Sequence, residues 1–227
     1  MTESTPLVLC DAAGRTFGHG AAATVALAPT DFQVRHGDRI ALVGPSGSGK
    51  STLLHLIAGL DAPTHGDVSW PAIGARAELQ PGRVAMIFQG PSLLPALTVL
   101  ENVALALVLD GASDARARAD ARAALDMLSL GELALKLPEE ISGGQAQRVA
   151  VARALAGRPL LILADEPTGQ LDRASAATVV DVLLEAARHS GAALVVATHD
   201  PTVAGRFPAR RQMHSGELTG EPVRASS

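Results

Sequence analysis

The chain has 227 residues, of which 47% are hydrophobic, 19% charged and 2% aromatic, and 19 basic against 23 acidic side chains leave a net charge of −4. That length holds one large α/β domain or two small ones with ample apolar material for a core, and the negative balance argues against a nucleic-acid partner held by bulk positive charge. The single cysteine, Cys10, rules out an internal disulfide framework, and no apolar run approaches the roughly 20 residues needed to cross a bilayer.

In chain order, Leu7-Val8-Leu9-Cys10 superficially matches a lipoprotein cleavage site. It lacks the basic start and the apolar stretch of roughly 7–15 residues that a leader needs. Glu3 is acidic and the first basic residue is Arg15. Residues 7–10 therefore read as a first strand with Cys10 buried. Asp31-Phe32-Gln33-Val34 alternates as a half-buried strand does, whereas residues 40–43, 160–164 and 192–197 are continuous apolar runs of strands buried on both faces. Each run leads into a polar or glycine-rich turn and then a helix, the rhythm of βαβ units on a mainly parallel sheet. Their ends, at Gly44, Asp165 and Thr198-His199, should converge on one crevice beyond the carboxyl edge of the sheet. Residues 91–142 have little strand character and read as a helical insertion. Its 113–130 stretch is rich in Ala, Arg and Leu, is capped by Ser113 or Asp114, and the region is stopped by Pro138. Residues 219–227 read as a loose tail.

Gly44-Pro45-Ser46-Gly47-Ser48-Gly49-Lys50-Ser51-Thr52 matches the P-loop pattern throughout. Its glycines let backbone N–H groups curve around phosphate oxygens, and the helix beginning near Lys50 points its positive end at the same anion. Lys50 is one of two lysines, with Lys136. It places a cation on the β- and γ-phosphates, while the Ser51 hydroxyl can ligate Mg²⁺. Leu161-Ile162-Leu163-Ala164 ends in two acids. Asp165 can hold the Mg²⁺ shell beside Ser51, and Glu166 then lies where water could attack the γ-phosphate, as general base. His199 follows another predicted strand and could hydrogen-bond the γ-phosphate and orient that water. The remaining six histidines read as structural or surface groups. Gln89 ends the strand over 83–88, where its amide can touch Mg²⁺ or the water while belonging to the loop that enters the helical insertion.

Ile141-Ser142-Gly143-Gly144-Gln145-Ala146-Gln147-Arg148, lying between the P-loop and the paired acids, is similar to the signature of the ATP-binding cassette (ABC) ATPase family. The resemblance extends from about residue 7 to about residue 216. Ser142, Gly143 and Gly144 open a helix near Gln145 and so form a second anion-binding terminus. The resemblance implies that P-loop and signature act in trans, in a head-to-tail dimer enclosing two ATP molecules. It further implies that Asp172 belongs to the loop crossing that interface, that Gln89 links nucleotide state to a membrane partner, and that Phe17 stacks on adenine. The expected fold class is α/β, a P-loop NTPase core with an N-terminal antiparallel β subdomain and an inserted α-helical subdomain. Within one domain, residues 1–90 and 143–218 would form the ATP-binding core and residues 91–142 the helical subdomain.

Finer matches, at 165–172 and 93–103, resemble the branch containing macrolide exporters, lipoprotein-release ATPases and the cell-division ATPase. Ile141 replaces the usual Leu, and residues 66–83 are short for that branch, which should trim the antiparallel edge. The resemblance implies an Mg²⁺-dependent ATPase on the cytoplasmic side of the plasma membrane. Its partners would be a second copy of itself and a separate permease, with export of lipophilic, peptide or lipoprotein-like cargo. Mechanical signalling through a membrane partner is the alternative.

Overall fold

A computed structural model describes residues 5–90 and 92–224. The three continuous apolar runs become neighbouring strands, β3 (Arg39–Val43), β6 (Leu161–Asp165) and β7 (Ala193–Thr198). With β5 (Val84–Ile87), β8 (Ala209–His214) and β9 (Glu217–Arg224) they make a six-stranded sheet in the order β5-β6-β7-β3-β8-β9. All pairs are parallel except β8 with β9. The register places Val43 opposite Thr198 and Asp165 opposite Ala197. The three strands therefore end at one level, and Gly44, Glu166 and His199 are the next residues out.

Every residue of β6 and β7 is buried because both faces of the sheet are covered. Alternate side chains enter separate cores. Ile162, Ala164, Leu194 and Val196 join the core shared with α4 (Gly143–Ala156) and α5 (Arg173–Ser190). Leu161, Leu163, Val195 and Ala197 join the core beneath α1 (Lys50–Ile57) and the second sheet. That second sheet is antiparallel, in the order β2-β1-β4, from β1 (Val8–Phe17), β2 (Thr24–Val34) and β4 (His65–Ser69). Cys10 is buried in β1, and residues 31–34 of β2 alternate exposed and buried. After the five residues of β4, the chain reaches β5 through turns and one 3-10 turn, Arg76–Glu78. The Trp70 indole anchors this stretch by donating to the Ile57 carbonyl at 2.7 Å.

Between β5 and α4 lie α2 (Val99–Leu109), α3 (Asp114–Met127) and two 3-10 turns, the second opened by Pro138. The α2 start is a capping box in which Thr98 and Glu101 exchange hydrogen bonds. Ser113 caps α3, which buries Ala117, Ala121, Ala124 and Leu125 on one stripe. The short α6 (Pro201–Ala204) follows β7. Among the described residues no helix is long and apolar enough to cross a membrane.

The expected loose tail is corrected over residues 219–224, which belong to β9; residues 225–227 lie outside the described residues. Ser215 and Gly216, with φ of 48° and 83°, make the tight turn that returns the chain antiparallel along β8. Despite its Gly220 and Pro222, β9 pairs antiparallel with β8 as an edge strand of the six-stranded sheet.

Candidate active site

The chain leaves β3 at Val43 and wraps through residues 44–49 into α1. Two glycines are demanded by close approach. A Cβ on Gly44 would lie 2.1 Å from the Met213 carbonyl oxygen, and one on Gly49, where φ is +98°, would lie 2.5 Å from that of Ala26. No side chain caps α1, so its first-turn N–H groups remain available to an anion. Residues 46–52 line a cavity of about 340 Å³ together with Ala26, Gln89, Glu166 and His199. Lys50 is only 5% exposed. Its ammonium donates to the carbonyls of Gly44 at 2.8 Å and Pro45 at 2.9 Å, and Glu166 Oε1 lies 3.7 Å away. Buried lysine is costly unless paired, and this one is aimed where phosphate charge would sit.

Asp165 is the last residue of β6 and is buried, and its Oδ1 has no hydrogen-bond partner. A carboxylate oxygen desolvated without a donor is the environment a hard divalent cation satisfies. Ser51 and Gln89 line the cavity itself. The next residue, Glu166, takes a left-handed φ of +47° and donates its N–H to the Ala197 carbonyl at 3.0 Å. This strained turn swings its side chain across the strand ends. Glu166 Oε2 meets His199 Nδ1 at 2.9 Å. That contact occupies one imidazole nitrogen and leaves Nε2 as the second polar atom of the ring.

The remaining sequence-predicted residues do not line the cavity. Ser142 caps α4 in a reciprocal box with Gln145, and both Ser142 and Gly143 are exposed. A Cβ on Gly143 would meet nothing within 4 Å, so this helix terminus opens outward. Asp172 caps α5 and accepts from the Ala174 and Ser175 N–H groups. Phe17, at the end of β1, is 46% exposed rather than a core residue, and the Arg15 guanidinium lies over its ring at 4.7 Å. Sequence reasoning missed Ala26, which enters the cavity because β2 passes beside the P-loop. A small residue in a strand carries no pattern that announces such a neighbour. It also gave no role to Gln147, whose amide donates to the Phe88 carbonyl at 3.2 Å.

A glycine arch on a helix terminus, a buried lysine, a strand-end carboxylate and an adjacent glutamate paired to histidine define a P-loop nucleoside triphosphatase. The comparisons with known proteins narrow the class. The ABC transporter family model matches residues 27–169, and the chain belongs to that family. The lipoprotein-releasing system ATP-binding protein LolD of Shewanella sp. (strain MR-4) is 40% identical over 219 residues, 93% of this chain and 95% of the relative. The ATP-binding cassette MJ0796, solved as a dimer in a post-hydrolysis state bound to ADP and Pi, is 35% identical, with a TM-score of 0.87 over 96% of this chain and 99% of its own. The cbiO1 protein of Clostridium perfringens, part of the ABC transporter complex cbiONQ, shares the fold at a TM-score of 0.81 and 24% identity, covering 96% of this chain and 89% of its own. The chain is thus an ATP-binding cassette whose ligands are ATP and Mg²⁺.

Proposed function

We propose that the chain is the ATP-hydrolysing subunit of an export complex and works as a head-to-tail dimer. The observation that carries this reading is the separation of two anion-binding devices. Lys50, Glu166 and His199 gather at one cavity, while the Ser142 terminus of α4 is exposed and does not line it. A second copy facing the first would bring that terminus to its partner's nucleotide, and a relative solved as a dimer supports the pairing of two copies.

In this mechanism the N–H groups of residues 46–52 and the Lys50 ammonium bind the β- and γ-phosphates. Ser51, Gln89 and Asp165 would hold Mg²⁺, which supplies charge neutralisation on the phosphate oxygens. Glu166 accepts a proton from water as its oxygen attacks the γ-phosphorus and ADP leaves. His199 keeps the Glu166 carboxylate oriented through Nδ1 and offers Nε2 to the γ-phosphate. Ser142, Gly143, Gly144 and Gln145 of the second copy complete the cage, with Asp172 beside it at the interface. Phe17 is the candidate for adenine stacking, its free face presented by the Arg15 contact on the other.

Residues 91–142 form the subdomain that passes the stroke to a separate membrane permease, which docks near residues 89–97. The chain is peripheral on the cytoplasmic side, and no nucleic acid takes part. The 40% identity to a lipoprotein-releasing relative favours lipophilic or lipoprotein-like cargo. The test is light scattering of Glu166→Gln with ATP. A dimer holding two ATP molecules is expected, and a monomer overturns the reading. Co-purification with a membrane chain in detergent tests the coupling. A complex with soluble factors alone rejects it.

A further inference from the structure

The exposed ring of Phe17 is joined to the phosphate cradle by two routes. The first runs through β2. Phe17 pairs with Thr24 and Thr16 with Val25, but Arg15 pairs with Leu27, so the register slips past Ala26. Ala26 lines the cavity, and its carbonyl oxygen is the atom that a Cβ on Gly49 would strike. A slip of this kind re-aims the side chains beside it. The second route runs through α1, which begins at Lys50. Just past the end of that helix the Asp61 N–H donates to the His55 carbonyl at 3.3 Å. Asp61 Oδ2 makes an ion pair with Arg15 Nε at 2.9 Å, and the Arg15 guanidinium lies 4.7 Å from the centre of the Phe17 ring. Thr64 pins the same turn to β1. Its N–H donates to the Gly14 carbonyl at 2.8 Å, and its hydroxyl accepts from the Thr16 N–H at 3.0 Å. The helix that opens at the cradle is thus tied at its far end to the cation that backs the ring.

We propose that Arg15 and Asp61 are positioning residues that set the grip on the nucleobase. This role rests on Phe17 being the adenine-stacking ring of the function proposed above. Phe17 is 46% exposed, and an exposed ring gives up rotamer freedom when a base stacks on it. The guanidinium on one face removes that freedom beforehand, through its attraction to the ring quadrupole, and leaves the other face for the base. Asp61 holds the guanidinium in place. It also balances the Arg15 charge, which lies outside the cavity lining, so that Lys50 is the cation offered to the triphosphate. The pair therefore acts on the base end of the nucleotide and not on its phosphates. A purely structural role would weaken both ends alike, through lower stability of the whole fold.

The experiment compares calorimetric affinities for Mg²⁺-ATP and for Mg²⁺-tripolyphosphate, which has the phosphates and no base, and measures KM and kcat for ATP. The full chain is compared with Arg15→Met, Arg15→Lys, Asp61→Asn and Phe17→Ala. Arg15→Met and Asp61→Asn should each weaken ATP binding about 2- to 12-fold, the factor for a side chain that must be ordered on binding. KM should rise by a similar factor with little change in kcat, and the affinity for tripolyphosphate should stay that of the parent. Arg15→Lys keeps a cation beside the ring and should recover part of the ATP affinity. Arg15→Met added to Phe17→Ala should cost nothing more. Asp61→Asn retains the Oδ1 that accepts from the Ala62 N–H at 2.8 Å, so it preserves the turn and carries the test if Arg15→Met does not fold. Equal losses for the two ligands, or no loss in Arg15→Met and Asp61→Asn where Phe17→Ala weakens ATP, overturn this proposal alone. A Phe17→Ala chain that keeps the parent's preference for ATP over tripolyphosphate overturns the stacking ring as well.

Discussion

His199 Nδ1 lies 2.9 Å from Glu166 Oε2, and the other oxygen of that carboxylate faces Lys50 Nζ at 3.7 Å. Glu166 is mostly buried, whereas the His199 side chain is 65% exposed toward the opening. The carboxylate is thus held from two sides while its partner histidine stays within reach of a ligand. Glu166→Gln should lower kcat by roughly 10²–10⁴, the range for removing a placed base, and leave ATP binding intact. His199→Ala should also lower kcat, because the carboxylate loses its orienting partner. Since the two act as one unit, the double variant should fall far short of the product of the single effects. Single-turnover hydrolysis with saturating Mg²⁺-ATP checks this, and multiplicative losses would separate their roles.

Asp165 offers a test by metal removal. Its buried Oδ1 has no donor, so the folded chain bears a desolvation cost until a cation arrives. In EDTA, Asp165→Asn should melt no lower than the parent. With Mg²⁺-ATP at a hundredfold excess over Kd, the parent should gain about 2.7 kcal/mol of stability and the variant much less. Differential scanning calorimetry in the two buffers reads both. An equal gain in both proteins would show that Asp165 does not hold the metal.

The crevice was legible because the chemistry sits where apolar runs stop. Residues 40–43, 160–164 and 192–197 are too apolar to be edge strands, and parallel register then brings Gly44, Glu166 and His199 to one rim. The last strand was not legible. Its Gly220, Pro222 and Ser226 neighbourhood has tail-like composition, and only the Ser215-Gly216 turn hints at a hairpin. Contacts between distant segments were equally silent. Ala26 reaches the P-loop, and Arg153 reaches Ser92, only through tertiary placement. No local period encodes either.

Asn102 is fully buried on α2 and organises the loop before it. Its Oδ1 accepts from the Leu94 N–H at 2.7 Å, and its Nδ2 donates to the carbonyls of Leu94, Leu97 and Thr98. Asn102→Ala should destabilise by about 1–3 kcal/mol, the cost of leaving such groups unpaired. Asn102→Asp should be worse, because a carboxylate would then face three carbonyl oxygens without a donor. Thermal melts that rank Asp above Ala would contradict this network.

Cys10 is 1% exposed, and burial pushes its thiol up to about 12, with Asp31 and Asp67 adding to the effect. The thiolate is the reactive species, so the native chain should resist an aromatic disulfide reagent at neutral pH and react at once in guanidinium. Fast native labelling would place residues 8–10 in an open β1.

Asp172 supplies the pH dependence. Its carboxylate accepts from the Ser175 hydroxyl at 2.6 Å and from the N–H groups of Ser175 and Ala174. These bonds, the hydroxyl first, hold its pKa below the usual 3.8. A carboxyl depressed in the folded state stabilises above the unfolded value, and that contribution fades as pH falls through the lower native value. Asp172→Asn keeps an N-cap oxygen and removes the charge, so it isolates this effect. The parent should melt higher than Asp172→Asn at neutral pH, and the difference should shrink only below about pH 4. The Tm difference recorded down an acid series reads it. A gap that is already closing near neutrality would mean that the Asp172 carboxylate is not held by the first turn of α5.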